Sequence, residues 1–226
     1  MLPTAFFNIQ KFKANLKTQY IGKKLIYFKK IDSTNNYASQ LEKELSNNKN
    51  DLKQKLDGTV ILSEIQTKGR GRFNRTWISP QGGLWFTIIL KSNIKENHLP
   101  KITLLSAISI TEILKKDYSL EANIKWPNDI NYKGYKICGI LTETEKINYN
   151  IFLNIGIGIN VNIETENLIK VNRKAVSIKN IKGRSVNREI LLAKILARFE
   201  SNYQYYINTN DFNKIFSKVK NSITYD

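Results

Sequence analysis

The chain has 226 residues, 41% of them hydrophobic, which is enough for one sizeable core and allows one large domain or two small ones. Thirty-six lysines and arginines against 19 acidic residues give a formal charge of +17; this favours polyanions or acidic partners, yet no nucleic-acid recognition motif accompanies it. The single cysteine, Cys138, excludes an intramolecular disulfide framework, the longest apolar stretches (83–90 and 151–159) fall well short of the ~20 residues of a membrane-spanning helix, and no signal-peptide pattern opens the chain, so the expected location is the cytoplasm with no membrane partner.

Ile9, Phe12, Leu16 and Tyr20 lie near helical spacing and lead into an apolar run at 25–28. Asp32, Ser33 and Thr34 are good N-caps for a helix with Ala38 and Leu41 on one face. A strand at 58–65 and another at 83–91 flank a polar loop, 66–81. Pro100 sits in the first turn of a predicted helix to about residue 116, with Ile102, Leu105, Ile108 and Ile113 in helical period. Strands at 123–126, 136–142 and 150–162 follow, punctuated by Pro127-Asn128-Asp129 and Lys133-Gly134 turns. From Asn187 onward two helices are expected. Short turns between sequential strands, with helices in no regular βαβ alternation, predict an α+β (mixed α/β) fold: a central mixed, largely antiparallel sheet covered by helices.

Four stretches carry candidate chemistry. In Gln66-Thr67-Lys68-Gly69-Arg70-Gly71-Arg72-Phe73-Asn74-Arg75-Thr76-Trp77, the glycines let backbone amides approach a ligand, and the arginines are fixed-charge donors for carboxylate or phosphate oxygens. A solvated basic loop is the plain alternative. Lys125-Trp126-Pro127-Asn128-Asp129 ends a strand in a rigid turn that could hold a lysine as a precise point charge, or could be an ordinary turn with a core tryptophan. Lys136-Ile137-Cys138-Gly139-Ile140-Leu141 and Gly156-Ile157-Gly158-Ile159-Asn160 place glycines in buried strands, where close packing alone would explain them.

Together with Asp32-Ser33-Thr34-Asn35, these stretches resemble the biotin protein ligases in order and spacing over residues 25–205. The resemblance implies the class II aminoacyl-tRNA synthetase/biotin synthetase fold and one catalytic domain over 1–226, with neither the DNA-binding domain of the bifunctional members nor their small C-terminal β-domain expected. It implies activation of biotin by ATP and Mg²⁺ to biotinyl-5'-AMP, then transfer to a lysine of a biotin carboxyl carrier domain. By the same resemblance Lys125, Arg70 and Arg72 are catalytic. Ser33, Thr34, Asn35, Gln66, Gly69, Gly71 and Gly139, with those three, contact biotin, and Trp77, Asn128, Lys136, Asn160 and Arg72 contact the nucleotide. No protein metal ligands are expected, nor specific DNA binding; an exposed edge strand could pair two copies in a homodimer. Asn74 stands where the family usually has glycine, a small departure because asparagine tolerates a left-handed backbone. A lipoate or octanoate ligase or transferase is the rival enzyme reading, and a biotin- or nucleic-acid-binding regulator the rival without catalysis.

Overall fold

The computed structural model describes residues 5–46, 56–92, 98–147, 150–164, 166, 168 and 174–225. The apolar run Leu25–Phe28 is strand β1, and Val60–Ser63 (β2), Leu84–Ser92 (β3), Asn123–Lys125 (β4), Asp129–Tyr132 (β5), Tyr135–Ile147 (β6), Asn150–Ile159 (β7) and Ile223–Thr224 (β8) complete one sheet. Its order is β1-β2-β3-β7-β6-β5-β4-β8. Only β1 with β2 and β4 with β8 run parallel; every other neighbouring pair is antiparallel. The mixed, largely antiparallel sheet is therefore the one expected from the short turns.

Alternation along the central strands gives the sheet two unlike faces. Phe86, Ile88 and Leu90 of β3, Ile155, Ile157 and Ile159 of β7, and Cys138 and Ile140 of β6 are buried in the main core with helices α3 (Leu99–Tyr118) and α5 (Arg188–Thr209). Pro100 does stand in the first turn of α3, where a missing N–H goes unused. α3 and α5 are joined by a double hydrogen bond from Arg198 to Glu112, both at 2.6 Å. The opposite face is half covered: α2 (Thr34–Ser46) seats Ala38 on Ile61, Ile89 and Phe152. The uncovered half of that face holds the site.

Helix α1 (Ile9–Asn15) and its flanks are fastened by buried charge. Arg188, at the start of α5, pairs with Glu64 at 2.8 Å, the two side chains 4% and 1% exposed. Arg188 also donates to Ala5 O and Gly83 O, while Glu64 accepts from the Phe7 amide and from the Tyr27 hydroxyl. Glu200 accepts from the backbone amides of Gln19, Tyr20 and Ile21. Both terminal nitrogens of Arg188 and both oxygens of Glu64 are thus hydrogen-bonded, the condition under which a buried pair holds.

Two strands were not foreseen. β5 lies between Pro127-Asn128 and Lys133-Gly134, both read as turns, and four residues leave too little pattern to register. β8 follows the short helices α4 (Ile178–Lys182) and α6 (Phe212–Phe216) and is two residues long. Its register, Ile124 with Ile223 and Lys125 with Thr224, places it beside the strand that carries Lys125. Among the described residues no helix is long and apolar enough to cross a membrane.

Candidate active site

A cleft of about 740 Å³ opens on the uncovered face, walled by the 66–77 loop on one side and the β4–β5 turn on the other. Its floor follows from strand register. Trp85, Gly158 and Gly139 form one row across β3, β7 and β6, and Thr87, Gly156 and Leu141 form the next. Two adjacent glycines remove the side chains that would fill this face. A Cβ on Gly158 would lie 2.4 Å from Trp77 Nε1, and one on Gly156 2.2 Å from Asn35 Oδ1. The glycines therefore let Trp77 and Asn35 sit on the sheet itself. Trp77 also meets Trp85 edge-on at 6.2 Å, and its buried Nε1 has no hydrogen-bond partner among the described residues.

One end of the cleft is a connected set of uncharged polar groups. Gln66 Oε1 accepts from the Thr34 amide at 2.8 Å and the Thr34 hydroxyl at 3.1 Å, and Gln66 Nε2 donates to Ser79 Oγ at 2.8 Å. The Thr87 hydroxyl lies 2.8 Å from Thr34 Oγ1 and donates to Asn35 Oδ1 at 2.6 Å. Ser33, Thr34 and Asn35 are buried at the first turn of α2. Hydroxyl and amide groups supply donors and acceptors together, as a ureido ring demands.

The other end is cationic. Six basic side chains, Arg70, Arg72, Arg75, Lys125, Lys136 and Lys174, line the cleft against one acid, Asp129. Lys136 Nζ lies 2.6 Å from Asp129 Oδ1 and 5.0 Å from the Trp77 ring centre. Arg72 Nη1 donates across the mouth to Asn128 Oδ1 at 3.0 Å, and Asn128 Nδ2 is in turn fixed on Ile140 O. Arg70 is bonded to Glu143, which also accepts from Asn35 Nδ2 at 2.8 Å. Glu143 stands on β6 two residues beyond Leu141, on the same face. Six cations facing one acid make this end of the cleft favour anions.

The arginine loop is a hairpin excursion. Trp77 N–H donates to Gly69 O, Gly71 N–H to Arg75 O and Arg75 N–H to Arg72 O. At its tip Phe73 and Asn74 both have positive φ, 56° and 55°, as a type I′ turn requires. Asparagine in place of glycine is accommodated there, as expected.

Of the residues singled out from sequence, Ser33, Thr34, Asn35, Gln66, Arg70, Gly71, Arg72, Trp77, Lys125, Asn128, Lys136 and Gly139 line the cleft. Gly69 and Asn160 do not. A Cβ on Gly69 would strike Trp77 O at 2.3 Å, so that glycine serves the loop's own packing. Asn160 is 4% exposed and donates to Lys136 O at 3.3 Å, bracing the strand behind the lysine. Sequence reasoning missed Thr87, Asp129 and Glu143, whose partners are 52, 7 and 73 residues away along the chain. Burial of Cys138 raises its thiol pKa and keeps it protonated.

Residues 27–162 match the model of the biotin/lipoate A/B protein ligase family. The bifunctional ligase/repressor BirA of Bacillus subtilis is 34% identical over 203 residues, a match covering 88% of this chain and 59% of the relative. The chloroplastic biotin–protein ligase 1 of Arabidopsis thaliana is 26% identical, covering 89% and 53%. Among solved structures, the biotin protein ligase from Aquifex aeolicus in complex with biotin and ATP superposes with a TM-score of 0.71 and 31% identity, over 89% of this chain and 78% of that one. The chain thus spans about 59% of the length of its Bacillus relative. Its fold is that of the biotin protein ligases, the class II aminoacyl-tRNA synthetase-like architecture.

Proposed function

Because the chain belongs to the biotin/lipoate A/B protein ligase family, we propose that its cleft joins biotin to ATP as biotinyl-5'-AMP and passes the biotinyl group to a lysine of a carrier protein. The observation that carries this reading is the cleft's division into an uncharged donor–acceptor end and a strongly cationic end. Biotin's ureido ring suits the first, held by Thr34, Asn35 and Gln66, with Ser33 beside them and the buried Thr87 bracing Thr34 and Asn35 from beneath. Its carboxylate and the nucleotide phosphates suit the second.

Joining the two substrates sets an anion against a polyanion. Arg70, Arg72, Lys125 and Lys136 reduce that repulsion and hold the carboxylate oxygen in line with the α-phosphorus. The new P–O bond forms as the bond to pyrophosphate breaks. The product is a mixed anhydride; the lysine amine attacks its carbonyl, AMP leaves with the phosphate oxygen, and the amine gives up a proton as the amide forms. Among the described residues no group of three acidic, histidine or cysteine side chains converges, and the cleft offers Asp129 alone, so Mg²⁺ would arrive on the phosphate oxygens and supply further charge neutralisation. Trp77, Asn128 and the Arg72 bridge close the nucleotide end. ATP as co-substrate suits a cytoplasmic protein, and the sheet edges at β1 and β8 are where a second copy could add.

The test is exchange of labelled pyrophosphate into ATP with biotin or lipoate as the acid. Exchange with biotin and not lipoate supports the reading; exchange with lipoate alone makes the chain a lipoate ligase, and none with either removes the activation step.

A further inference from the structure

Helix α2 meets the sheet along one face, on which Asn35, Ser39 and Glu42 follow one another at helical spacing. Asn35 lies over Gly156. Two residues back along β7, on the same face of the sheet, Asn154 lies under Glu42, whose Oε2 accepts from Asn154 Nδ2 at 3.1 Å. Asn154 Nδ2 also reaches Ser39 Oγ at 3.4 Å. Glu42 and Asn154 are both buried, and each keeps one oxygen, Oε1 and Oδ1, with no donor among the described residues. One proton resolves both. Carried on Oε1, it is the donor that Oδ1 lacks, and acid and amide then close a ring of two hydrogen bonds.

The surroundings favour that proton. Of the strands packed near α2, β6 brings the carboxylates of Glu143 and Glu145 to this face and β3 brings Lys91, while β1, β2 and β7 carry no charged residue. Lys43, next along α2, is 3.3 Å from Glu145, and Glu44 bonds the exposed Gln40. Burial pushes the Glu42 carboxyl up to about 7, and Glu145 adds to the rise against the Asn154 N–H and Lys43.

Two routes join the pair to the uncharged end of the cleft. Along α2 it stands about two turns from Asn35. Across the sheet Asn154 is paired with Glu143, the carboxylate that accepts from Asn35 Nδ2 and from Arg70.

We propose that Glu42 and Asn154 share a proton as an acid–amide pair, and that the pair positions Thr34 and Asn35 for biotin by seating α2 on β7, a role that rests on the biotin reading of the cleft and deepens it. Loss of the proton leaves a buried carboxylate against an amide oxygen, near two further carboxylates, and unseats the helix. The protonated form is then the one that binds biotin, and affinity falls as pH rises through about 7.

The experiment is calorimetry of biotin binding to the full chain from pH 6 to 8.5, in two buffers of different ionisation heat. In the wild type Kd should rise by about fivefold to thirtyfold, the upper figure being the full change in protonated fraction, and binding near pH 7.5 should take up part of a proton. Glu42→Gln keeps a two-bond ring without a titrating proton, so its Kd should stay near the wild-type pH 6 value throughout, with no proton uptake. Glu42→Leu, which makes neither bond, should bind weakly at every pH. The infrared C=O band of a protonated carboxyl should be present at pH 6, fade by pH 8.5 and be missing from Glu42→Gln. A flat wild-type profile overturns the proposal, as does an equal slope in Glu42→Gln, an infrared band that this variant leaves unchanged, or Glu42→Leu binding as tightly as Glu42→Gln. Biotin bound at no pH would instead remove the biotin reading, and the positioning role with it.

Discussion

The Arg70 guanidinium donates to the Glu143 carboxylate, tying the arginine loop to the middle of β6. Asn35 Nδ2 donates to the same oxygen, and Asn35 Oδ1 accepts from Thr87, so the loop and the uncharged end of the cleft share one network. Glu143→Gln keeps an acceptor and removes the charge that holds Arg70. Since Arg70 is 42% exposed, the expected loss is about 1 kcal/mol, a roughly fivefold rise in KM for biotin. Glu143→Asp should recover part of it. Wild-type biotin KM in Glu143→Gln would show that the loop is held by other contacts.

The glycine rows make a steric prediction. Gly156→Ala places a Cβ 2.2 Å from Asn35 Oδ1 and Gly158→Ala one 2.4 Å from Trp77 Nε1, whereas Gly139→Ala meets Trp77 at 3.0 Å. The first two should weaken biotin binding more than tenfold by calorimetry. The third should be milder, because a shift of a few tenths of an ångström relieves it. Equal losses at all three positions would contradict the close-approach account.

In the proposed reaction Lys125 and Lys136 offset phosphate charge, from β4 and β6 on either side of β5. Either alanine variant should lower kcat for pyrophosphate exchange about a hundredfold, the scale of removing one fixed group that stabilises developing charge. Asp129→Asn should have a smaller effect, since it frees Lys136 without deleting it. Full exchange activity in Lys125→Ala would remove that residue from the reaction.

Glu42, 2% exposed on α2, accepts from Asn154 Nδ2 at 3.1 Å, but Glu42 Oε1 and Asn154 Oδ1 have no donor among the described residues. Burial pushes its carboxyl up to about 7, with Glu145 adding to the rise and Lys43 opposing it. The native state then binds more protons than the unfolded chain between about pH 4.5 and 7, so stability falls as pH rises through that window and levels off above it. Melting curves from pH 5 to 8 should show this slope in the wild type and lose it in Glu42→Gln, which should be the more stable near neutrality.

Arg188→Ala leaves Glu64 charged and buried and frees the chain around Ala5 and Phe7, at an expected cost of ~3–5 kcal/mol in chemical denaturation. Replacing both partners, as Glu64→Gln/Arg188→Met, should cost less than Arg188→Ala alone. A double variant at the sum of two single losses would mean that the residues act separately.

Local pattern sufficed where an element is long or carries its own boundary signal. Pro100 marked α3, the apolar run at 25–28 marked β1, and Gly139, Gly156 and Gly158 stood out as spacing. What those glycines admit was not legible, because Asn35 and Trp77 reach them from segments far along the chain. β5 lacked length, and Glu143 looks in sequence like any polar residue of a half-exposed strand. Its meaning comes from register, which sets it two residues from Leu141 on the cleft face. Asn160 carried a glycine-asparagine signature but braces Lys136 from behind.

The most direct measurement is intact-mass and peptide mass spectrometry of a biotin carboxyl carrier domain incubated with this chain, ATP, Mg²⁺ and biotin. The account predicts the mass of one biotinyl group on a single carrier lysine, dependent on ATP and lost in Lys125→Ala and Lys136→Ala. An unmodified carrier, alongside normal biotin-dependent pyrophosphate exchange, would contradict transfer as the function of this cleft.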